Sequence, residues 1–428
     1  MTRMVAAIAL LISALQIGDP MAQISREYVR LVLAMGDHDK DYVDAYYGPE
    51  DLKTEAAKAK LSLDDIGKSV TGLTERLNGV PAAGRDELAQ LRHQYLVKQL
   101  AAMSARVRML KGERLSFDDE SKALYDAVAP SHPEAHFQAV LDRLEKRFPG
   151  GGALATRLEA WRRDFVIPRE KLDTVFKAAI DACRAQTLKH VKLPANESFT
   201  VEYVTGKSWS GYNWYQGQYR SLIQVNIDLP ISIDRAVDLA CHEGYPGHHV
   251  YNVLLEQRLV RERGWIEFTV YPLFSPQSLI AEGTANAGID IAFPGDEQTR
   301  FERDVLYPLA GLDPRTAETY AAVQAQIEML SYAGNEAARR YLNGEIDRAA
   351  AAVWLETWAM MPRDHAEQRT RFFDQYRSYV INYNLGRDLV REYLERQGGR
   401  ADRPGAAWAA FVTLLSSPRL PSGLKEGM

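Results

Sequence analysis

Cysteine is nearly absent from this chain of 428 residues: only Cys183 and Cys241 occur. Two thiols cannot build a disulfide framework or a cysteine-rich metal site. A single bridge between them is formally open. It would tie the histidine motif described below to a much earlier segment, so two free thiols are expected. Positive charge is not in excess either, with 52 Lys and Arg against 57 Asp and Glu and a net charge of −5. That removes the electrostatic basis for polyanion binding, and no nucleic-acid partner is expected. Long apolar runs are missing too. The uncharged stretch Met4 to Ile17 falls short of the ~20 residues needed to cross a bilayer, so no stable membrane span is expected. What remains is 46% hydrophobic and 25% charged, an ordinary globular composition. The length suits one large domain or two closely packed ones.

Arg3 precedes the early apolar stretch, and Gly18-Asp19-Pro20-Met21-Ala22 follows it. A positive start, a short apolar segment and a Pro/Gly break resemble a secretory signal peptide. Residues 1–22 are therefore read as a candidate leader, which implies export to the periplasm or beyond; without it the chain is cytoplasmic.

Residues 23–193 read as helix after helix, a scaffold or lid. Glu87–Leu110, His136–Phe148, Leu154–Phe165 and Arg169–Leu188 carry apolar residues at three- and four-residue spacing. Ser131-His132-Pro133-Glu134 predicts a serine-capped helix start. The texture changes between Glu197 and Pro230. Phe199–Val204 and Ser221–Ile227 alternate and are β-branched, and the spacing predicts a small antiparallel sheet. Helical patterning resumes at Ile233. The fold class is mainly α with a small sheet just before the histidine motif. Residues 194–428 form the expected catalytic region, packed as one unit with 23–193.

Three of the nine histidines lie within His242-Glu243-Gly244-Tyr245-Pro246-Gly247-His248-His249. Such density beside a carboxylate suits a divalent transition metal, most simply zinc. The familiar arrangement places two ligands four apart on one helix, but the fourth position here is Pro246. On a straight helix His248 falls roughly 120° around from His242, and His249 lies about 10 Å further along the axis. Neither can share an ion with His242 unless Pro246-Gly247 breaks the helix. The expected ligands are His242 and His248, with Glu243 as general base. Glu282, a lone acid in the small and apolar stretch Pro276–Asn286, completes a His₂Glu site with an open position. Gly283 and Ala285 would permit close helix approach, and Asp290 is expected to orient a ligand imidazole.

These segments resemble a known family. The H-E-x-x-P-G-H-H block, W-S-G-Y-N-W-Y at 209–215, I-D-L-P at 227–230, A-E-G at 281–283, Asp41–Pro49 and Tyr379–Gly386 look like the bacterial domain-of-unknown-function family numbered 885. The likeness covers most of the chain, although typical members are longer. The resemblance implies a multi-helix, gluzincin-like metallopeptidase architecture with one zinc per chain on His242, His248 and Glu282 and with Glu243 catalytic. It supplies no substrate.

A zinc-dependent peptide hydrolase is the resulting expectation, with a peptide or small amide as substrate. A zinc amidase or esterase and a non-catalytic, metal-stabilised binding protein are the alternatives. Tyr379 and Tyr383, with His365 behind them, are the expected oxyanion donors. The strand Ser221–Ile227, including Asn226, is expected to pair with an extended substrate. Trp209 and Tyr212 are candidates for a cleft wall, and His249 for a substrate-facing position. One of Arg369, Arg371 and Arg377 could bind a carboxylate; the ordinary reading is a solvated or salt-bridged face.

Overall fold

The computed structural model describes residues 19–81, 86–400 and 403–425. The chain is mainly α-helical with two small sheets. Among the described residues no helix is long and apolar enough to cross a membrane.

The apolar stretch Met4–Ile17 lies outside the described residues. Helix α1 (Pro20–Met35) reaches back past the expected boundary at residue 22. Asp19 caps it by accepting from the Met21 amide at 3.1 Å, and Met21 is buried. Cleavage after Ala22 would remove that cap and a core side chain. The folded unit therefore extends at least to Asp19.

Helix α2 (Glu87–Leu110) runs over the predicted span, started by the Asp86 side chain on the Ala89 amide. The helix after Pro133, Glu134–Arg147, starts without the expected serine cap. Helices α3 (Phe117–Tyr125) and α4 (Leu172–Leu188) complete the parts of this half used below. One hydrophobic core runs from Met21 to Leu424. Specific polar contacts also join the halves: Arg92 pairs with Glu267, and the Tyr95 hydroxyl donates to Gln277 at 2.6 Å.

Strands β1 (Val43–Tyr46) and β5 (Val270–Pro272) pair antiparallel across the two halves. The second sheet contains β2 (Ser198–Val204), β3 (Gly211–Gly217) and β4 (Arg220–Asn226), in the order β2-β4-β3. The two segments marked by the sequence, β2 and β4, run parallel; the antiparallel partner of β4 is β3. The β3–β4 turn places Gln218 and Tyr219 at φ 54° and 64°. Glu256 accepts both of their amides at 3.2 Å, which supports a left-handed turn without glycine.

The second half then runs through α5 (Asp234–Leu239), α6 (His248–Leu255), α7 (Pro276–Ala292), α8 (Arg363–Tyr376) and α9 (Ile381–Arg396). Helices α7 and α9 cross at Gly283 and Gly386. A Cβ on Gly283 would lie 2.5 Å from the Gly386 backbone, so glycine sets the separation. Close approach at Gly283 thus serves α9. The motif packs on α7 one turn and more later, at Gly288, where Pro246 Cγ lies 3.0 Å from a built Cβ.

Candidate metal centre

Helix α5 does not continue as a regular helix. It passes into one π-helical turn, Ala240–Gly244, then into extended backbone at Tyr245 and a cis Tyr245–Pro246 bond. The Gly247 amide returns to the Cys241 carbonyl at 2.9 Å, and α6 starts at His248. A Cβ on Gly247 would sit 1.9 Å from the His242 carbonyl oxygen, so only glycine fits this reversal. The Pro-Gly interruption thus brings the first residue of α6 back beside the π turn.

The outcome is a triangle of side-chain atoms. His242 Nε2 and His248 Nε2 are 3.1 Å apart, and Glu282 Oε2 from α7 lies 3.2 Å and 3.7 Å from them. Four-coordinate zinc with bonds near 2.0 Å separates its ligand atoms by about 3.3 Å. Proton placement supports the same reading. Asn286, one turn after Glu282, donates through Nδ2 to the Tyr383 carbonyl at 3.1 Å, which leaves Oδ1 facing His242 Nδ1 at 3.1 Å. His242 Nδ1 is then the donor, and its Nε2 points a lone pair at the centre. Glu282 Oε2 is buried and has no hydrogen-bond donor, whereas Oε1 accepts from the Tyr379 hydroxyl at 2.8 Å. The donor chemistry and spacing fit a divalent metal such as zinc.

Glu243 follows directly on His242 and is buried. Burial raises its pKa, with Glu282 adding to the rise and His242, His248 and Arg235 opposing it. Asn213 on β3 holds the Glu243 carbonyl at 2.7 Å. The carboxylate packs on Gly211, where a Cβ would lie 2.6 Å from Oε1.

The other candidates separate. Tyr379 is committed to Glu282, so it holds that carboxylate in place instead of standing free for an oxyanion. The Tyr383 ring meets Tyr379 edge-on, 5.8 Å between ring centres, and its hydroxyl has no hydrogen-bond partner among the described residues. His365 lies beside Arg162 and Arg235, and the second of these also acts on Glu243. His249 does not face substrate: it is fully buried, with Nδ1 2.9 Å from Ser221 Oγ and Nε2 3.0 Å from Glu197 Oε2. Its place at the second position of α6 turns it about 100° from His248, into the core. Asn226 spends its amide on the carbonyls of Lys207 and Trp209, holding that loop. Its strand, β4, is central and has no free edge for a substrate. Trp209 lines a cleft of about 800 Å³ with Tyr376, while Tyr212 stacks near Trp209 and donates to the Asp44 carbonyl at 3.1 Å.

Asp290 does not orient an imidazole; it pairs on the surface with Arg391. The orienting residue is Asn286, four after Glu282 and only about 40° around the helix, a position that helix geometry alone could have selected over Asp290. Two further residues left no local signal. Glu120 on α3 accepts from Ser378 Oγ at 2.7 Å and Arg377 Nε at 2.7 Å. It fixes a backbone turn in which Arg377 has φ 53°, and so aims Tyr379. Asp44 on β1 faces the site; burial is the main cause that pushes its carboxyl up to about 7, against the pull of His248.

Cys183 and Cys241 are disulfide-bonded, with Cα atoms 5.6 Å apart. The expectation of free thiols is overturned, because α4 packs directly against the π turn. The bridge anchors the residue next to His242.

Comparison with known proteins leaves the family open. No family model matches the chain, and no curated protein matches it. Solved structures give distant likenesses. A candidate lipoprotein from Colwellia psychrerythraea is 16% identical over 85% of this chain and 71% of its own, at a TM-score of 0.46. A candidate lipoprotein of unknown function from Shewanella oneidensis is 13% identical over 85% and 75%, at 0.42. An M32 carboxypeptidase from Deinococcus radiodurans R1 is 12% identical over 92% and 90%, at 0.35. No activity is carried over from them.

Proposed function

We propose that this chain is a zinc-dependent hydrolase that cleaves peptide bonds in small or extended peptides. The observation that carries the reading is the triangle of His242, His248 and Glu282. Two ring nitrogens and a carboxylate oxygen converge there, the oxygen without a hydrogen-bond donor, and a buried carboxylate, Glu243, lies beside them. Bound zinc would supply a Lewis acid and lower the pKa of water. The protein's own groups have distinct tasks. Asn286 fixes the His242 tautomer, and Tyr379 fixes Glu282. Glu243 accepts a proton from water and delivers it to the leaving amine; its raised pKa suits both halves of that task. Tyr383, with its hydroxyl unengaged, is the donor for charge developing on the scissile carbonyl oxygen. Strand β3 lies at the sheet edge beside Glu243, and an extended peptide would pair there instead of on β4.

The buried disulfide supports an oxidising compartment, in line with export. The deciding experiment measures zinc content and turnover of acetylated peptide pools by wild type and Glu243→Gln. Expected are about one zinc per chain in both proteins and a loss of turnover of about 10²–10⁴-fold in the variant. Unchanged turnover in Glu243→Gln would remove the proposed base.

A further inference from the structure

Arginines in this protein are paired almost wherever they are buried: Arg92 with Glu267, Arg106 with Asp39, Arg339 with Glu336. Among the described residues four arginines carry a buried Nε without a hydrogen bond: Arg30, Arg369, Arg387 and Arg419. Three of them still hold a carboxylate, on Glu55, Glu328 and Glu87 respectively. Arg369 on α8 has no ion pair and no hydrogen bond among the described residues; Glu282 acts on it from beyond ion-pair distance. Its guanidinium instead lies on aromatic rings, with Cζ 4.7 Å from the Phe372 centroid and 5.5 Å from that of Tyr383.

Position makes this exception informative. Tyr383, whose ring carries the guanidinium, contacts the centre twice over. Its carbonyl holds Asn286, which holds His242; its ring packs on Tyr379, which holds Glu282. The flanking Gln368 and Arg371 line the 800 Å³ cleft that includes Trp209 and Tyr376. A guanidinium with a buried, unbonded Nε and no ion pair is costly, and a ligand that supplies an anion relieves that cost. Planar, pre-aligned by the rings, it matches a carboxylate through two parallel N–H bonds.

We propose that Arg369 anchors the free α-carboxylate of the substrate, so that the enzyme removes residues from the C-terminal end of short peptides. This rests on the hydrolase reading above and names its substrate class. Contacts run from Arg369 through Tyr383 and Tyr379 to Glu282, a gap of about two side chains. A substrate with one or two residues beyond the scissile bond spans such a gap, at roughly 3.5 Å per residue.

The test uses zinc-loaded Glu243→Gln protein and two pools of N-acetylated tripeptides, one with free C-termini and one amidated, with bound peptide quantified by mass spectrometry. The free acids are expected to be retained about tenfold or more over the amides. In Glu243→Gln/Arg369→Met that ratio falls to about one, and in Glu243→Gln/Arg369→Lys part of it survives. Zinc content and melting temperature show that each variant is folded and loaded. In the wild type, Arg369→Lys raises KM for the acids far more than it lowers kcat. Equal retention of acids and amides, retention of neither pool, or a requirement for a free amino terminus overturns the anchor. Full turnover by Glu243→Gln overturns the hydrolase reading instead, and the acid-to-amide ratio is measured independently of it.

Discussion

His248 and His249 are adjacent in sequence, and each sits within reach of a buried glutamate, but their surroundings are opposite. Around His249 every polar atom is answered. Ser221 and Glu197 take the two ring nitrogens, and Glu197 also accepts from Tyr245 and Arg184, each at 2.6 Å. Burial opposes charge on Glu197, but His249, Tyr245 and Arg184 outweigh it and hold its pKa down to about 2. Around His248 the ring Nε2 faces His242 Nε2 at 3.1 Å, and Glu282 Oε2 has no donor. A satisfied cluster reads as architecture, and a buried acceptor left unanswered marks a place where a cation fits. Glu302 completes the comparison as a third buried carboxylate. Its donor is the Gln298 amide, and burial pushes it up to about 8, so it keeps its proton.

The sharpest way to break this comparison is to delete either side. His242→Ala, His248→Ala and Glu282→Gln are each expected to abolish stoichiometric zinc, read by metal analysis, and activity with it. His249→Ala should keep the zinc and lose about 2 kcal/mol of stability in denaturant titration, because Glu197 stays buried with one donor fewer. Zinc loss in His249→Ala alone would reverse the assignment of the two histidines. A smaller but broader effect is expected from Cys183→Ser. The bridge joins positions 58 apart, and the chain-entropy model assigns it about 4 kcal/mol. The variant should melt lower and, because Cys241 adjoins His242, bind zinc more weakly in competition with a chelator.

Asn286→Ala leaves the triangle but frees the His242 tautomer. Zinc affinity should fall about 10–100-fold, with little change in melting of the metal-free protein. The mildest prediction concerns Glu302. An unfolded glutamate ionises near 4.5, whereas the folded one holds its proton to about 8. The unfolded state therefore loses its proton first, and stability falls as pH rises through that window. Glu302→Gln should flatten the decline and add on the order of 2 kcal/mol at pH 7. Glu197 acts in the opposite sense: its contribution is present above about 4.5 and is lost as pH falls towards 2. A wild-type melting curve flat from pH 5 to 8 would show that Glu302 is not the outlier described.

Much of the site was legible because its parts are local. The Pro-Gly break could be inferred from helix geometry, and Glu282 stood out as a lone acid among small residues. The helices of the first half followed from apolar spacing, Glu87–Leu110 to the residue. What failed was non-local. Glu197 serves His249 from 52 residues away, and Glu120 aims Tyr379 from 258 residues before Ser378. No spacing rule reaches across such distances. Strand order failed for a related reason: alternation shows that a segment is a strand but not which neighbours it takes, so β4 looked like an edge until β3 was found on its other side.

The sequence by itself determined the mainly helical class, the place of the sheet, and a histidine motif that no unbroken helix could use. Only the tertiary structure decided which histidine turns inward, which asparagine holds the other, and that the two cysteines meet. The physical reason is that covalent spacing fixes directions along one element. The answering of a lone pair or a charge depends on what other elements bring to it.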